Sequence, residues 1–209
     1  MKSKNLLFIP TYNCEKQISR VLDSFFNSRK SNGYFQEVVI IDNGSTDKTI
    51  ETAEKTISNL TVENTEFKII KNNSNYNLGG SHKVAFNYSI SNNYDYVFVC
   101  QGDDQGKIID LVNNFDQNDT NYFGSRFENS SKRINYSFIR TVGNIFFAKL
   151  FSLCLFVNIN ELGCGQSIFR VKDLKDKFYL SFPNDLYFTY YITTYMILKK
   201  KIKYKYIPI

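Results

Sequence analysis

The first half of the chain alternates short apolar runs with segments in which apolar residues recur at helical spacing. Such an alternation predicts buried strands connected by helices. The apolar runs are "LLFI" at 6–9, "EVVIID" at 37–42, "FKIIKN" at 67–72 and "DYVFVC" at 95–100. Because strands that alternate with helices form parallel β-α-β units, the sequence predicts an α/β protein with a mostly parallel, twisted sheet flanked by helices.

The second half of the chain predicts less regular units. "YFGSRF" at 122–127 and "KYKYIPI" at 203–209 are typical of strands, and apolar helical patterns cover 142–155 and 186–198. Between the two helices lies a turn-rich stretch, "NELGCGQSIFR" at 160–170. A chain of 209 residues can bury one core, so we expect a single domain over residues 1–209.

The charge and the cysteines exclude several classes of protein. The formal net charge is +6, and five lysines within 198–205 are typical of a solvated surface but would also attract phosphate groups or an anionic membrane. No zinc-ligand spacing or helix-turn-helix pattern accompanies them, so a nucleic-acid partner is not expected. The four cysteines are scattered without a C-x-x-C pair, which favours reduced thiols over a disulfide framework.

Two apolar segments bear on localisation. "LLFI" is too short for the apolar region of a secretory signal, so we expect a cytoplasmic protein. The longest apolar segment, 145–157, contains Lys149 and falls short of the roughly 20 residues that a spanning helix needs. Core packing explains its apolar stripe, and so would peripheral contact with a membrane or a lipid acceptor. Either explanation predicts that one helix face is buried.

Polar clusters follow three of the predicted strands. They are "PTYN" at 10–13, "DNGSTD" at 42–47 and "QGDDQ" at 101–105. Ligands of parallel α/β sheets bind at the carboxyl ends of the strands. We therefore expect the candidate site at this edge of the sheet.

Asp103 and Asp104 are the candidate metal ligands. Adjacent carboxylates raise each other's pKa unless a cation lies beside them, and Mg²⁺ binds one or two protein carboxylates together with water and phosphate oxygens. Mn²⁺ favours the same oxygen ligands. An acidic cap on the following helix would explain the same two residues without a metal. Asp42 suits hydrogen bonds from a nucleobase or a ribose, and equally a turn that it stabilises itself.

A glycine pair and the single histidine are less specific. Gly79 and Gly80, with Ser81, are predicted to open a helix and to leave room beside a nucleotide, although a lone glycine pair is weak evidence. His82 is the only histidine, so neither a His-based metal site nor a Ser-His-Asp triad is available. We expect a structural role for it.

Taken together, these motifs resemble glycosyltransferase family 2. "FIPTYNCEKQI" resembles the family's first-strand motif, and "VVIIDNGSTDKT" is similar to its nucleotide-binding element. "NLGGSHKVAFNYSI" resembles the glycine segment before the metal strand, and "DYVFVCQGDDQ" falls where the family carries its DXD motif. The resemblance implies the GT-A fold, a Rossmann-like sheet, with a nucleotide-sugar half over about 1–106 and an acceptor half over about 107–209.

The resemblance also implies roles for individual residues. Gln101 occupies the first position of the DXD motif in place of an acid, Asp103 occupies the metal-binding position, and Asp104 would compensate for the lost charge. Mg²⁺ or Mn²⁺ is the implied cofactor, and a UDP- or GDP-sugar is the implied donor. The residues implied around that donor are Pro10, Tyr12, Asn13, Asp42, Gly79, Gly80 and Gln101.

The second half resembles one branch of the family, the polyprenyl-phosphate sugar synthases of the dolichol-phosphate mannose synthase type. "GSRF", then Arg140 with Asn144, then "ELGCGQSIFR" and "KYKYIPI" carry this resemblance. Glu161 stands where that branch has an aspartate, and Ser167 stands where it has a basic residue. The branch implies hexosyl transfer to a lipid-phosphate or glycan acceptor in cell-envelope glycan synthesis.

The implied reaction is a single inverting displacement, in which Arg126 and Arg140 are candidates to stabilise the leaving diphosphate. A hydroxyl acceptor would need a carboxylate base, and Asp185 is the nearest acid to the region where base-using relatives place one. A phosphate acceptor is already ionised and needs no base, and the sequence favours this kind of acceptor.

Two alternatives remain open. One is a sugar nucleotidyltransferase, although "PTYNCEK" lacks its glycine-rich loop, and the other is a catalytically silent sugar-nucleotide-binding protein.

Overall fold

The structure is a computed structural model, and it describes residues 3–27, 33–128, 131 and 138–209. Within these residues the strands are β1 Asn5–Thr11, β2 Glu37–Asp42, β3 Glu66–Lys71, β4 Tyr96–Val99, β5 Asn121–Ser125, β6 Ser167–Arg170 and β7 Tyr204–Pro208. The helices are α1 Ile18–Phe26, α2 Thr49–Asn59, α3 Asn77–Ser91, α4 Ile108–Asn114, α5 Phe138–Leu155 and α6 Phe188–Leu198. Two short 3-10 helices, Val171–Leu174 and Phe178–Ser181, lie between β6 and α6.

The described strands form one seven-stranded sheet in the order β3-β2-β1-β4-β6-β5-β7. Strands β1 to β4 pair in parallel, and β7 runs parallel to β5. Strand β6 is antiparallel to both of its neighbours, β4 and β5. The predicted mostly parallel α/β sheet is confirmed. The sequence had predicted only turns where β6 lies, because this four-residue strand directly follows a glycine-rich segment.

Helices cover both faces of the sheet because the central strands are apolar on both faces. Along β1, Leu7 and Ile9 pack under α1, α2 and α4, whereas Leu6 and Phe8 pack under α3 and α6. This alternation follows from the two-residue period of a strand. The apolar residues of α1 recur at helical spacing and are all buried, as the sequence predicted. Each fully buried side chain of this kind contributes about 1.5–3 kcal/mol.

Helix α3 begins two residues earlier than the predicted glycines, at Asn77, whose φ is 55°. Gly79 lies in its first turn against the backbone of the segment before α6. A Cβ on Gly79 would lie 2.8 Å from the Asn184 Cα and 2.9 Å from the Pro183 carbonyl oxygen. Its N–H also donates to the Asn184 carbonyl at 3.2 Å. The glycine is therefore required by close packing between α3 and the start of α6.

Helix α5 buries much less of its surface than the sequence predicted. Ala148 is 6% exposed and packs with Ile159 and Leu162 in a small cluster. In contrast, Phe146 and Leu153 are 62% and 71% exposed. The buried face is therefore narrow, and bulky apolar side chains lie on the solvent side. No helix in the described part of the chain is long and apolar enough to span a membrane.

Candidate active site

The loops after β1 and β2 are joined at the carboxyl edge of the sheet. The backbone N–H of Asn13 donates to the Ser45 hydroxyl at 2.9 Å, and the Asn13 side-chain oxygen accepts from the Thr46 N–H at 2.9 Å. Asp42, which is 3% exposed, accepts from the Ser45 N–H at 3.2 Å. Tyr12 precedes Asn13 and is 49% exposed, so its ring is accessible to a flat ligand. The structure brings Tyr12, Asn13 and Asp42 to one connected surface.

The side chain of Asn43 fixes the next loop, a role that sequence reasoning missed. Its amide nitrogen donates to the Asn75 side-chain oxygen at 2.7 Å, and its amide oxygen accepts from the Tyr76 N–H at 2.9 Å. The Asn72 amide donates to the same oxygen at 3.1 Å. The run of asparagines around 72–77 was the available signal, because side-chain amides commonly stabilise turns. This network connects the end of β2 to the start of α3.

The acidic loop after β4 lies against the end of β1. The Gly102 N–H donates to the Pro10 carbonyl at 3.0 Å, and a Cβ on Gly102 would lie 2.6 Å from the Thr11 methyl carbon. The glycine therefore allows the loop to pack on β1. The loop also carries Asp103 to the carboxyl edge, next to the loop that bears Tyr12.

Asp103 and Asp104 have different surroundings. The pKa of the Asp103 carboxyl is raised, chiefly by burial and further by the charge of Asp104. The N–H that Gln105 donates to this carboxyl acts in the opposite direction and lowers its pKa. Asp104 has a φ of 63° and forms an ion pair with Arg20 of α1, with Nε and Oδ2 2.8 Å apart. Asp103 is therefore the desolvated carboxylate of the two, and Asp104 already has a cationic partner.

The side chains of this loop do not complete the coordination shell of a hard divalent cation by themselves. A bound ligand would have to supply further oxygen atoms. Among the described residues there is no group of three or more His, Cys, Asp and Glu side chains that could hold a metal. Mg²⁺ sites commonly use one or two protein carboxylates and complete their shell with water and phosphate oxygens. The partly buried carboxylate of Asp103, whose charged form is disfavoured, fits that arrangement.

The side chain of Gln101 packs on the segment before β6. A Cβ on Gly165 would lie 2.1 Å from the Gln101 amide nitrogen. In the opposite direction, a Cβ on Gly106 would lie 2.3 Å from the Gln166 amide nitrogen. That nitrogen donates to the Cys100 sulfur at 3.4 Å, while the Gln166 amide oxygen is buried without a hydrogen-bond partner. Two glutamine side chains thus hold the acidic loop against the turn that precedes β6.

Arg126 at the end of β5 is bound to Glu161. The guanidinium Nε donates to Oε1 at 2.7 Å, and the Arg126 backbone N–H donates to Oε2 at 2.7 Å. The Glu161 side chain is only 2% exposed, so the pair is largely desolvated. The predicted role of Arg126 beside a diphosphate stays a prediction, because its guanidinium is engaged here.

A cavity of about 200 Å³ lies next to this ion pair. Glu161 and Leu162 form one side of it, Phe147 and Phe151 of α5 form another, and Tyr190 of α6 closes it. The lining is mostly apolar with a few polar groups, and the cavity is smaller than the roughly 300–1,000 Å³ of most ligand sites. The cavity lies in the half of the chain that was predicted to bind an acceptor.

The remaining predicted residues have local roles or lie outside the described residues. Asp185 accepts from the Tyr187 N–H at 2.9 Å just before α6, and the Tyr191 hydroxyl donates to it at 3.4 Å. Gly80 packs beside Tyr76 in the first turn of α3. The side chain of Arg140 lies outside the described part of the chain. Roles for Asp185 and Arg140 in the reaction stay predictions.

The family model "Glycosyl transferase family 2" matches residues 7–178. The chain therefore belongs to glycosyltransferase family 2. Comparison with curated proteins returned no match.

Solved structures of two glycosyltransferases are similar to this chain. S. aureus TarS 1–349 in complex with UDP is 22% identical, with a TM-score of 0.56, and the match covers 83% of this chain and 48% of that one. Glucosyl-3-phosphoglycerate synthase from Mycobacterium tuberculosis, crystallised with Mn²⁺, UDP and glucosyl-3-phosphoglycerate, is 14% identical with a TM-score of 0.65. That match covers 99% of this chain and 71% of the synthase. At these identities the likeness establishes the fold, which is GT-A, and the chain spans about half the length of the TarS fragment.

Proposed function

We propose that this protein transfers a sugar from a nucleotide-sugar donor to a polyprenyl phosphate, with Mg²⁺ or Mn²⁺ bound at Asp103. The observation that carries the proposal is the placement of Asp103. Its desolvated carboxylate follows β4 at the edge where the loops of Tyr12 and Asp42 also end. Ligands of such sheets bind at this edge.

The donor would lie across the loops after β1 and β2. The exposed Tyr12 ring suits stacking on a nucleobase, and the buried Asp42 carboxylate suits hydrogen bonds from the base or the ribose. A UDP- or GDP-sugar is the proposed class of donor. The similar structures with bound UDP support the uridine nucleotide.

The leaving diphosphate carries the developing charge of the reaction. A divalent cation held by Asp103 would supply positive charge against it when bound, an effect worth several kcal/mol in such sites. Asp104 would contribute to the same site only if its ion pair with Arg20 opens. The loop itself is fixed by the Gln101 and Gln166 side chains, so Asp103 would keep its position without the ligand.

A phosphate acceptor suits the acceptor half of the site. A phosphate oxygen is already ionised at neutral pH, so its attack on the anomeric carbon needs no general base. Asp185, the nearest candidate base, is engaged by the backbone of Tyr187. The apolar cavity beside Arg126 and Glu161 would take the first part of a prenyl chain. A single displacement would invert the configuration at the anomeric carbon.

A transfer assay tests the proposal. Purified protein is given labelled UDP- or GDP-sugars, Mn²⁺ and polyprenyl phosphate, and the organic phase is counted. We expect labelled lipid with wild type and a loss of at least about 100-fold with Asp103→Asn. Asp23→Asn, an exposed acid in the second half of α1, is the matched control and should retain activity. Nucleotide binding without transfer to any acceptor would instead favour the catalytically silent protein.

A further inference from the structure

Helix α5 presents a contiguous apolar surface to solvent. Val142, Phe146, Leu150 and Leu153 recur at spacings of three and four, so they lie on one side of the helix. They are 50%, 62%, 41% and 71% exposed. Apolar residues exposed singly are ordinary, but a contiguous set of this size marks an interaction surface.

The start of α6 extends this surface. Phe147 and Phe151, 57% and 42% exposed, line the cavity between the two helices together with Tyr190. Leu186 and Tyr187, just before α6, are 70% and 62% exposed. Tyrosine suits a position at which one end of the side chain is apolar and the other is wet, as at a membrane surface. We call the exposed apolar residues within 142–153 and 186–190 the apolar face.

Basic side chains lie on α5 and near its C-terminal end. Lys149 is exposed on α5 itself. The chain after α5 is tied to the start of β7, because the Tyr204 hydroxyl donates to the Asn158 carbonyl at 2.8 Å. Three exposed lysines within 199–203 immediately precede Tyr204. Lysine stems can lie along an apolar surface while their ammonium groups stay in water.

We propose that the apolar face docks on the surface of an anionic lipid bilayer. An apolar helix side with basic residues at its border binds in the plane of a membrane, by burying apolar area and by attracting anionic headgroups. A second copy of this chain would cover the same apolar residues, but it would bring the lysines of both copies together. The anionic headgroups of a bilayer would neutralise the lysine charges. A bilayer therefore suits both the exposed apolar residues and the nearby lysines.

Docking in this way would place the cavity between α5 and α6 at the membrane surface. Phe147, Phe151 and Tyr190 belong both to the cavity and to the apolar face. A ligand that leaves the bilayer would then enter the cavity without crossing water. The membrane surface does not depend on the sugar-transfer reaction, because no nucleotide, metal or acceptor takes part in it.

Vesicle flotation with the whole chain of 209 residues tests the proposal. Vesicles of phosphatidylcholine with about one third phosphatidylglycerol should carry the protein, and pure phosphatidylcholine vesicles should carry less. The double variant Phe146→Glu, Leu153→Glu should lower partitioning at least about tenfold, because two apolar contacts are replaced by acids. The control is Leu180→Glu, since Leu180 is 48% exposed outside the apolar face and should change nothing.

A fluorescence measurement covers the case in which the double variant does not fold. The chain contains no tryptophan, so Phe146→Trp introduces a single reporter and Leu180→Trp its control. On anionic vesicles the emission of the Phe146→Trp protein should shift to shorter wavelength and be quenched by brominated lipid. The emission of the Leu180→Trp protein should show neither change. Unchanged emission of the Phe146→Trp protein would overturn the proposal. So would a wild-type dimer that the double variant converts to monomers, with no flotation of either.

Discussion

The carboxamide of Gln101 lies directly over the Cα of Gly165, with no room for a side chain between them. The resemblance to the family implies an acid at the position of Gln101, and in the structure the amide makes this contact. It joins the acidic loop after β4 to the turn before β6. The position of Asp103, two residues later, therefore depends on a contact between segments that are far apart in sequence.

Gly165→Ala is expected to weaken metal-dependent nucleotide binding with little loss of stability. The new methyl would displace the flexible end of Gln101, whose amide nitrogen lies 2.1 Å from the position that the Cβ would take. We expect a change below about 1.5 kcal/mol in the free energy of unfolding, since a side chain can move aside. Calorimetric titration with UDP and Mn²⁺ measures the binding, and Gln101→Ala, which removes the same contact from the other side, should weaken it as well. Equal binding by wild type and Gly165→Ala would contradict the positioning role.

Gly79→Ala is expected to destabilise the protein by about 1–3 kcal/mol. Here the new methyl would meet backbone, because the Asn184 Cα and the Pro183 carbonyl lie 2.8 and 2.9 Å away. Urea unfolding measures the loss. Gly143→Ala in α5 is the matched control, since no atom lies within 4 Å of its Cβ position. It should stabilise the helix by about 0.5–1 kcal/mol, and a similar loss in both variants would contradict the packing argument.

Loss of Glu161 is expected to be costly because this buried carboxylate accepts from both the guanidinium and the backbone N–H of the partly buried Arg126. Glu161→Ala leaves the Arg126 guanidinium and backbone N–H without their shared acceptor. Breaking a buried pair in this way costs about 3–5 kcal/mol. The exposed pair of Arg20 and Asp104 provides the comparison, since Arg20→Ala should cost at most about 1 kcal/mol. Thermal unfolding compares the two variants, and the melting temperature of Glu161→Ala should be the lower one. Equal melting temperatures would contradict the account.

His82 is expected to make stability depend on pH. Burial lowers the pKa of His82 to about 4 from 6.5, and its ring lies between Phe8, Phe86 and Phe188. Between those pH values the unfolded chain binds a proton that the folded chain does not. The free energy of unfolding should therefore fall as the pH drops through this window, by up to about 3 kcal/mol.

His82→Leu should reduce that pH dependence, because the only histidine is then gone. Urea unfolding at about pH 7 and about pH 5 measures the difference for each protein. The carboxylates are the same in both, so they act as an internal control. An unchanged difference between the two pH values in His82→Leu would show that folding does not lower the pKa of His82.

The sequence predicted the strands and helices whose apolar residues follow a clear local pattern. The apolar runs of β1, β2 and β4 are buried on both faces, so their residue types alone were sufficient. Strand β6 was missed because its order comes from pairing with β4 and β5, not from its four residues. For α5, spacing predicted a helix but could not tell a core-facing stripe from one that faces outward.

For the candidate site, the sequence predicted which residues lie at the carboxyl edge of the sheet but not the contacts that join different elements. The order of polar clusters placed Tyr12, Asp42 and Asp103 at one edge, since parallel strands end together. The ion pairs of Asp104 with Arg20 and of Arg126 with Glu161 could not be predicted, because each joins residues on different elements. The same holds for Asn43 and for the contact of Gln101 with Gly165.

The central claim is that Asp103 holds a divalent cation beside a nucleoside diphosphate. Calorimetry with UDP and with GDP, each with and without Mn²⁺, tests it on wild type, Asp103→Asn and the control Asp23→Asn. Because burial raises the pKa of the Asp103 carboxyl, Asp103→Asn should not lower the melting temperature, which keeps the comparison clean. We predict that Mn²⁺ strengthens nucleotide binding to wild type and Asp23→Asn but not to Asp103→Asn. Absence of nucleotide binding under every condition, or an undiminished Mn²⁺ effect in Asp103→Asn, would contradict the claim.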